Sequence, residues 1–109
     1  MDWKTLGDVE GVQEIIERSA LRPQVIFKHS IRCSISSVAK SRLDRGNSPA
    51  NVDFYYLDLI NYRDVSNKIA EVFMIDHASP QVLVIRNGEC VYDESHMGIN
   101  MQDILNVAV

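Results

Sequence analysis

With 109 residues, of which 46% are hydrophobic and 24% charged, the chain has material for one core and is excluded from the disordered class. A formal net charge of −4 excludes the basic face that general nucleic-acid binding requires. No apolar run reaches the ~18 residues of a membrane-spanning helix, and the opening MDWKTLGDVE carries charges where a signal peptide has its apolar segment. The expectation is one domain over 1–109, in a reducing cytoplasm, with two free cysteines and no contact with nucleic acid or membrane.

WKT (3–5) reads as a short edge strand. From Asp8 to Ala20, Val9, Val12, Ile15 and Ile16 fall at helical spacing. Pro23 breaks the chain, and QVIFK (24–28) is a short apolar run suited to a strand buried on both faces. After Cys33, Ile35, Val38, Ala39 and Leu43 predict one apolar helix face. DRGNSPAN (44–51) reads as a loop and VDFYYLDL (52–59) as a strand. Asn61 with Asp64 resembles a capping box for a helix carrying Val65, Ile69, Val72 and Phe73. QVLVIR and ECVYD flank Asn87-Gly88, a strong hairpin signal because a type I′ turn needs positive φ at both central residues. Asn100 with Asp103 repeats the capping pattern ahead of Met101, Ile104, Leu105 and Ala108. The order β-α-β-α-β-α-β-β-α implies parallel strands from the crossovers, an antiparallel hairpin, and helices on both faces. That is an α/β chain with the order of a thioredoxin fold.

This order puts Cys33 just past the carboxyl end of a central strand and at the start of a helix, where open α/β sheets bind ligands. A helix N-terminus presents unpaired N–H groups and partial positive charge, which favour thiolate, the nucleophilic form. Arg32 and Lys28 are expected to add positive charge nearby. The alternative is a small buried hydrophobe, since cysteine is among the most buried residue types. Ser36 stands where a dithiol motif has its second cysteine, so Cys33 has no partner there. Cys90 follows the hairpin turn at the far end of the sheet, beyond the ~7 Å that a disulfide permits, and is expected to be structural. His29, His77 and His96 map to the Cys33 end, with Glu94, Ser95 and Gly98. Any of these histidines could support the thiolate or contact an anionic substrate. Neither C-x-x-C nor H-x-x-x-H spacing is present, so no metal site is expected.

The stretches W3-K4, IFKHSIRCSIS (26–36), YYLDL (55–59), SPQVLVIRNGE (79–89) and SHMGI (95–99) together resemble the YtxJ-like monothiol bacilliredoxin family of the thioredoxin superfamily. The resemblance covers nearly the whole chain in order. It implies a cytoplasmic thiol-disulfide oxidoreductase that removes bacillithiol, or a similar low-molecular-weight thiol, from cysteines of S-thiolated client proteins. The small thiol is a co-substrate, and no resident cofactor is implied. Cys33 matches the family's nucleophile and Ser36 the position of the missing resolving thiol. Pro80 matches the superfamily's cis-proline, with the backbone of Ser79 pairing with bound substrate. Arg32, His29 and His96 complete the expected substrate-binding set. Ser34 stands where many relatives have proline. Two other classes compete: a non-catalytic thioredoxin-like binding or redox-sensing module, and an iron–sulfur carrier, whose C-G-F-S motif is here CSIS.

Overall fold

An apolar strand survives in a protein interior only if both its hydrogen-bonding edges and both its faces are covered. QVIFKH meets all four conditions. In the computed structural model, which describes residues 1–46 and 49–108, it forms β2 (Gln24–His29), and all six residues are buried. The remaining elements are β1 (Trp3–Thr5), α1 (Val9–Arg18), α2 (Ser34–Asp44), β3 (Asp53–Asp58), α3 (Arg63–Phe73), β4 (Gln81–Arg86), β5 (Glu89–Ser95), a 3₁₀ turn at His96–Gly98, and α4 (Met101–Ala108). The strand order is β1-β3-β2-β4-β5. β3 runs parallel to both β1 and β2, while β4 is antiparallel to β2 and β5 to β4. Residues 47 and 48 of the expected 44–51 loop lie outside the described residues.

Alternation along the strands divides the core. Ile26, Leu57, Leu83 and Ile85 face Val12 and Ile15 of α1 and Val65, Ile69 and Phe73 of α3. Val25, Phe27, Phe54, Val82 and Val84 face Ala39 and Leu43 of α2 and Ile104 and Ala108 of α4. The hairpin forms as expected: Asn87 and Gly88 have φ of 52° and 78°. Its tip is tied to the end of α1, where Ser19 O accepts from Asn87 N at 2.9 Å and Ser19 Oγ from Gly88 N at 2.8 Å. The Asn100 cap also forms, with Oδ1 accepting from Asp103 N at 2.9 Å.

Two expectations fail locally. Asn61 does not cap α3: its amide donates to Asp58 Oδ2 at 2.7 Å, and Tyr62 occupies the cap position without a side-chain bond. Asp58 also accepts from Ile60 N, so the end of β3 captures Asn61 before the helix begins. On α2, Ile35 and Val38 point to solvent, 40% and 44% exposed, and the inner stripe is Ser36, Ala39 and Leu43. The apolar neighbours masked that stripe because its first member is polar.

At the opposite end of the sheet from Cys33, Asp53 accepts from Gln24 Nε2 at 2.8 Å and Lys4 Nζ at 3.1 Å, and lies 3.4 Å from Arg22 Nη2. Burial pushes its carboxyl up, but the hydrogen bonds from Gln24 and Lys4 and the charges of Lys4 and Arg22 prevail and hold it below the usual carboxylate range. A folded-state pKa below the unfolded one contributes stability above the ordinary carboxylate range, and that contribution is lost as pH falls through the folded value. Asp53→Asn should therefore cost about 1–2 kcal/mol at neutral pH, because Lys4 and Arg22 are partly solvated. Urea unfolding at pH 7 and again near pH 3 checks this, and the difference from wild type should shrink in acid.

Candidate active site

β2 ends at His29, whose carbonyl accepts from Leu59 N at 3.1 Å. The chain then turns sharply, with Cys33 N donating to Ser30 O at 3.2 Å. Cys33 is the N-cap of α2, in extended backbone conformation, and its carbonyl accepts from Ser37 N at 3.1 Å. Its thiol makes no capping bond, forms no disulfide with the other cysteine and stands half-buried at the helix start. The first N–H groups of any helix lack intrahelical partners and carry partial positive charge.

Ser36 lies in the first turn of α2 and is fully buried. Its Oγ accepts from Ser30 N at 3.0 Å and lies 2.7 Å from His29 Nδ1. Burial, followed by the charge of Lys40, pushes His29 below the ordinary histidine range, so the ring is neutral at pH 7. Since Ser36 Oγ already accepts from Ser30, donating its own proton to His29 Nδ1 satisfies all three groups. His29 is only 4% exposed, stacked on Phe27 and packed against Tyr56. Expected to meet substrate, it instead braces the 30–33 turn from beneath, because alternation along β2 aims it at α2.

The β2–β4 register pairs Lys28 with Gln81, which sets the Ser79-Pro80 peptide across from His29. That peptide is cis. Pro80 is buried and its carbonyl accepts from His96 N at 3.1 Å, so the end of β5 is pinned to the same corner. Ser79 Oγ is buried without a hydrogen-bond partner among the described residues. Arg32 and His96 are exposed, His96 with a φ of 56°. Ile31, Ile35 and Met97 add exposed apolar surface at 63%, 40% and 55%. Cys33, Ser36, Arg32, His29, Ser79, Pro80 and His96 thus share one end of the sheet.

Lys28 does not add charge at the start of α2 as expected. It is fully buried on the opposite sheet face, where Nζ donates to Ser66 O at 3.3 Å and lies 3.4 Å from His77 Nδ1. Alternation was the available signal, since adjacent residues of one strand cannot share a face. Cys90 pairs with Ile85, which in turn pairs with Gln24 at the start of β2. Five strand residues, or about 16 Å of rise, separate Gln24 from His29. Burial pushes the Cys90 thiol up, and its Sγ donates to Tyr92 O at 3.3 Å. Among the described residues, no helix is long and apolar enough to cross a membrane.

The profile of the family described as monothiol bacilliredoxin BrxC matches residues 4–104. A solved structure described as having a thioredoxin fold superposes with a TM-score of 0.82 at 29% identity, covering 94% of this chain and 89% of its own. Thioredoxin from Trypanosoma brucei brucei gives a TM-score of 0.78 at 15% identity, covering 97% and 90%. Thioredoxin from Fasciola hepatica gives 0.76 at 15%, covering 96% and 95%. The two thioredoxins speak for the fold alone. The match over residues 4–104 decides the family: the chain belongs to the monothiol bacilliredoxins, redox proteins of thioredoxin fold.

Proposed function

We propose that the protein reduces mixed disulfides between protein cysteines and a low-molecular-weight thiol such as bacillithiol, using Cys33 alone. The observation that carries this reading is the division of labour between the two cysteines. Cys33 caps α2 half-exposed and free, whereas Cys90 is engaged at the far end of the sheet. Ser36 occupies the remaining candidate position and has no sulfur.

The Cys33 thiolate attacks the small-thiol sulfur of the mixed disulfide. The sulfur–sulfur bond breaks, the client cysteine leaves as a thiolate and takes a proton from water, and Cys33 holds the small thiol as a new disulfide. A second thiol then attacks that small-thiol sulfur, leaves with it as a low-molecular-weight disulfide, and returns Cys33 to the thiolate. The electron pair of the new disulfide comes from the second thiol, which gives up its proton as it attacks and is the reductant of the cycle, the usual chemistry of thiols and disulfides. The N–H groups at the start of α2 present partial positive charge beside the attacking sulfur, and Arg32 is exposed at the same end of the sheet. The backbone at Ser79, beside Pro80, pairs with an extended client segment, and the exposed apolar Ile31, Ile35 and Met97 receive its side chains. His96 lies at the rim for the small thiol. The reaction suits a reducing cytoplasm.

Intact-mass analysis of a client protein carrying a bound small thiol tests the assignment. Cys33→Ser should abolish release, and Cys90→Ser should leave the rate within about twofold, the size of a small structural perturbation. Release by Cys33→Ser at the wild-type rate would refute the proposal. Ser36→Ala removes no thiol, so turnover by Cys33 should persist. It strands Ser30 N–H and His29 Nδ1, however, and should lower unfolding free energy by about 1–3 kcal/mol in a denaturant titration.

A further inference from the structure

A lysine inside an apolar core needs a partner for its charge. Lys28 is fully buried, yet it makes no ion pair among the described residues. Its surroundings push its pKa down to about 8 through burial. What holds its ammonium is the backbone carbonyl of Ser66 on α3 and Nδ1 of His77, at 3.3 and 3.4 Å. Ser66 Oγ stands 3.2 Å from the same nitrogen.

This arrangement dictates the state of His77. An ammonium has only protons to offer, so Nδ1 must accept, and the ring proton sits on Nε2. Burial, then the charges of Lys28 and Arg63, push His77 below the ordinary histidine range, so it stays neutral. The ring is exposed, and Nε2 has no hydrogen-bond partner among the described residues. His77 lies two residues before Ser79-Pro80, and Gln81 Nε2 closes the 76–81 segment around both by donating to Asp76 O at 2.9 Å.

The geometry points to Lys28 as a positioning residue that fixes His77 as an Nε2–H donor beside the Ser79-Pro80 peptide, where it selects disulfide substrates whose small-thiol half carries a carboxylate. The inference rests on the reaction proposed above. Lys28 Nζ, 3.4 Å from Nδ1, sets a positive charge behind the ring, so an anionic acceptor at Nε2 fits this corner better than a neutral one.

The full chain is assayed on one client peptide thiolated either with 3-mercaptopropionate, which carries a carboxylate, or with 2-mercaptoethanol, which does not. Wild type should favour the first by about tenfold in kcat/KM, expressed in KM, as one charge-assisted hydrogen bond would give. His77→Phe and Lys28→Met should lose that preference, and His77→Gln, which keeps a donor, should retain part of it. Cys33 alkylation by iodoacetamide should be unchanged in all three. An apolar replacement of a buried charge tends to preserve the fold, so Lys28→Met should fold; if it does not, the two His77 variants carry the test. Equal KM for both peptides in wild type, or wild-type preference in His77→Phe, overturns the proposal. Nitrogen-15 NMR reads it without turnover. His77 should carry its proton on Nε2 and titrate lower in wild type than in Lys28→Met, and the carboxylate peptide alone should shift Nε2 in Cys33→Ser protein. If wild type releases neither thiol, the proposed reaction fails while this spectrum still decides: an unshifted Nε2, or an identical titration in Lys28→Met, overturns the role of Lys28.

Discussion

The enclosure of β2 is the constraint on which the rest depends. A strand paired on both edges and covered on both faces has no freedom in where its side chains go. Phe27 and His29 must face α2 and α4, and Ile26 and Lys28 must face α1 and α3. The two polar residues at its carboxyl end therefore enter opposite layers of the core. Each has to find hydrogen bonds there, because an unpaired polar group in that setting costs more than most single packing contacts return.

The two solutions differ in kind. His29 is neutral and is satisfied by one hydroxyl, that of Ser36, which in turn secures the amide of Ser30. The network closes on itself and braces the turn that presents Cys33. Lys28 is a cation with no carboxylate partner among the described residues, and it is satisfied by a carbonyl and an imidazole nitrogen. That network is open, since it ends on an exposed ring. One strand end thus braces the turn that carries Cys33 on one face and contacts His77, three residues before the cis-proline, on the other.

The site is discontinuous in the chain. Residues 29–36 supply the thiol and its brace, residues 79–80 the cis peptide, and residues 95–98 the rim. β2 and β4 align the first two by direct pairing, and the return of β5 brings in the third through the bond from His96 N to Pro80 O. Cys90 shares the hairpin with these pieces but lies on its other end, so topology alone separates the two thiols.

The sequence by itself determined the element order, the Asn87-Gly88 turn, the Asn100 cap and the place of Cys33 at a strand end and helix start. All of these follow from local periodicity and turn chemistry. It also carried enough motif to imply the family. The tertiary structure alone decided which face each residue met. Ile35 and Val38 read as core and turned outward, because the polar Ser36 takes the inner stripe in order to bond His29. Asn61 read as a cap and was captured by Asp58. His29 read as a support for the thiolate or a contact for substrate and Lys28 as a charge for the thiolate, and both proved buried on opposite sides of the sheet. Hydrophobic pattern reports the need for burial, but a polar side chain is buried only where a distant segment supplies its partner, and that pairing is a property of the folded chain.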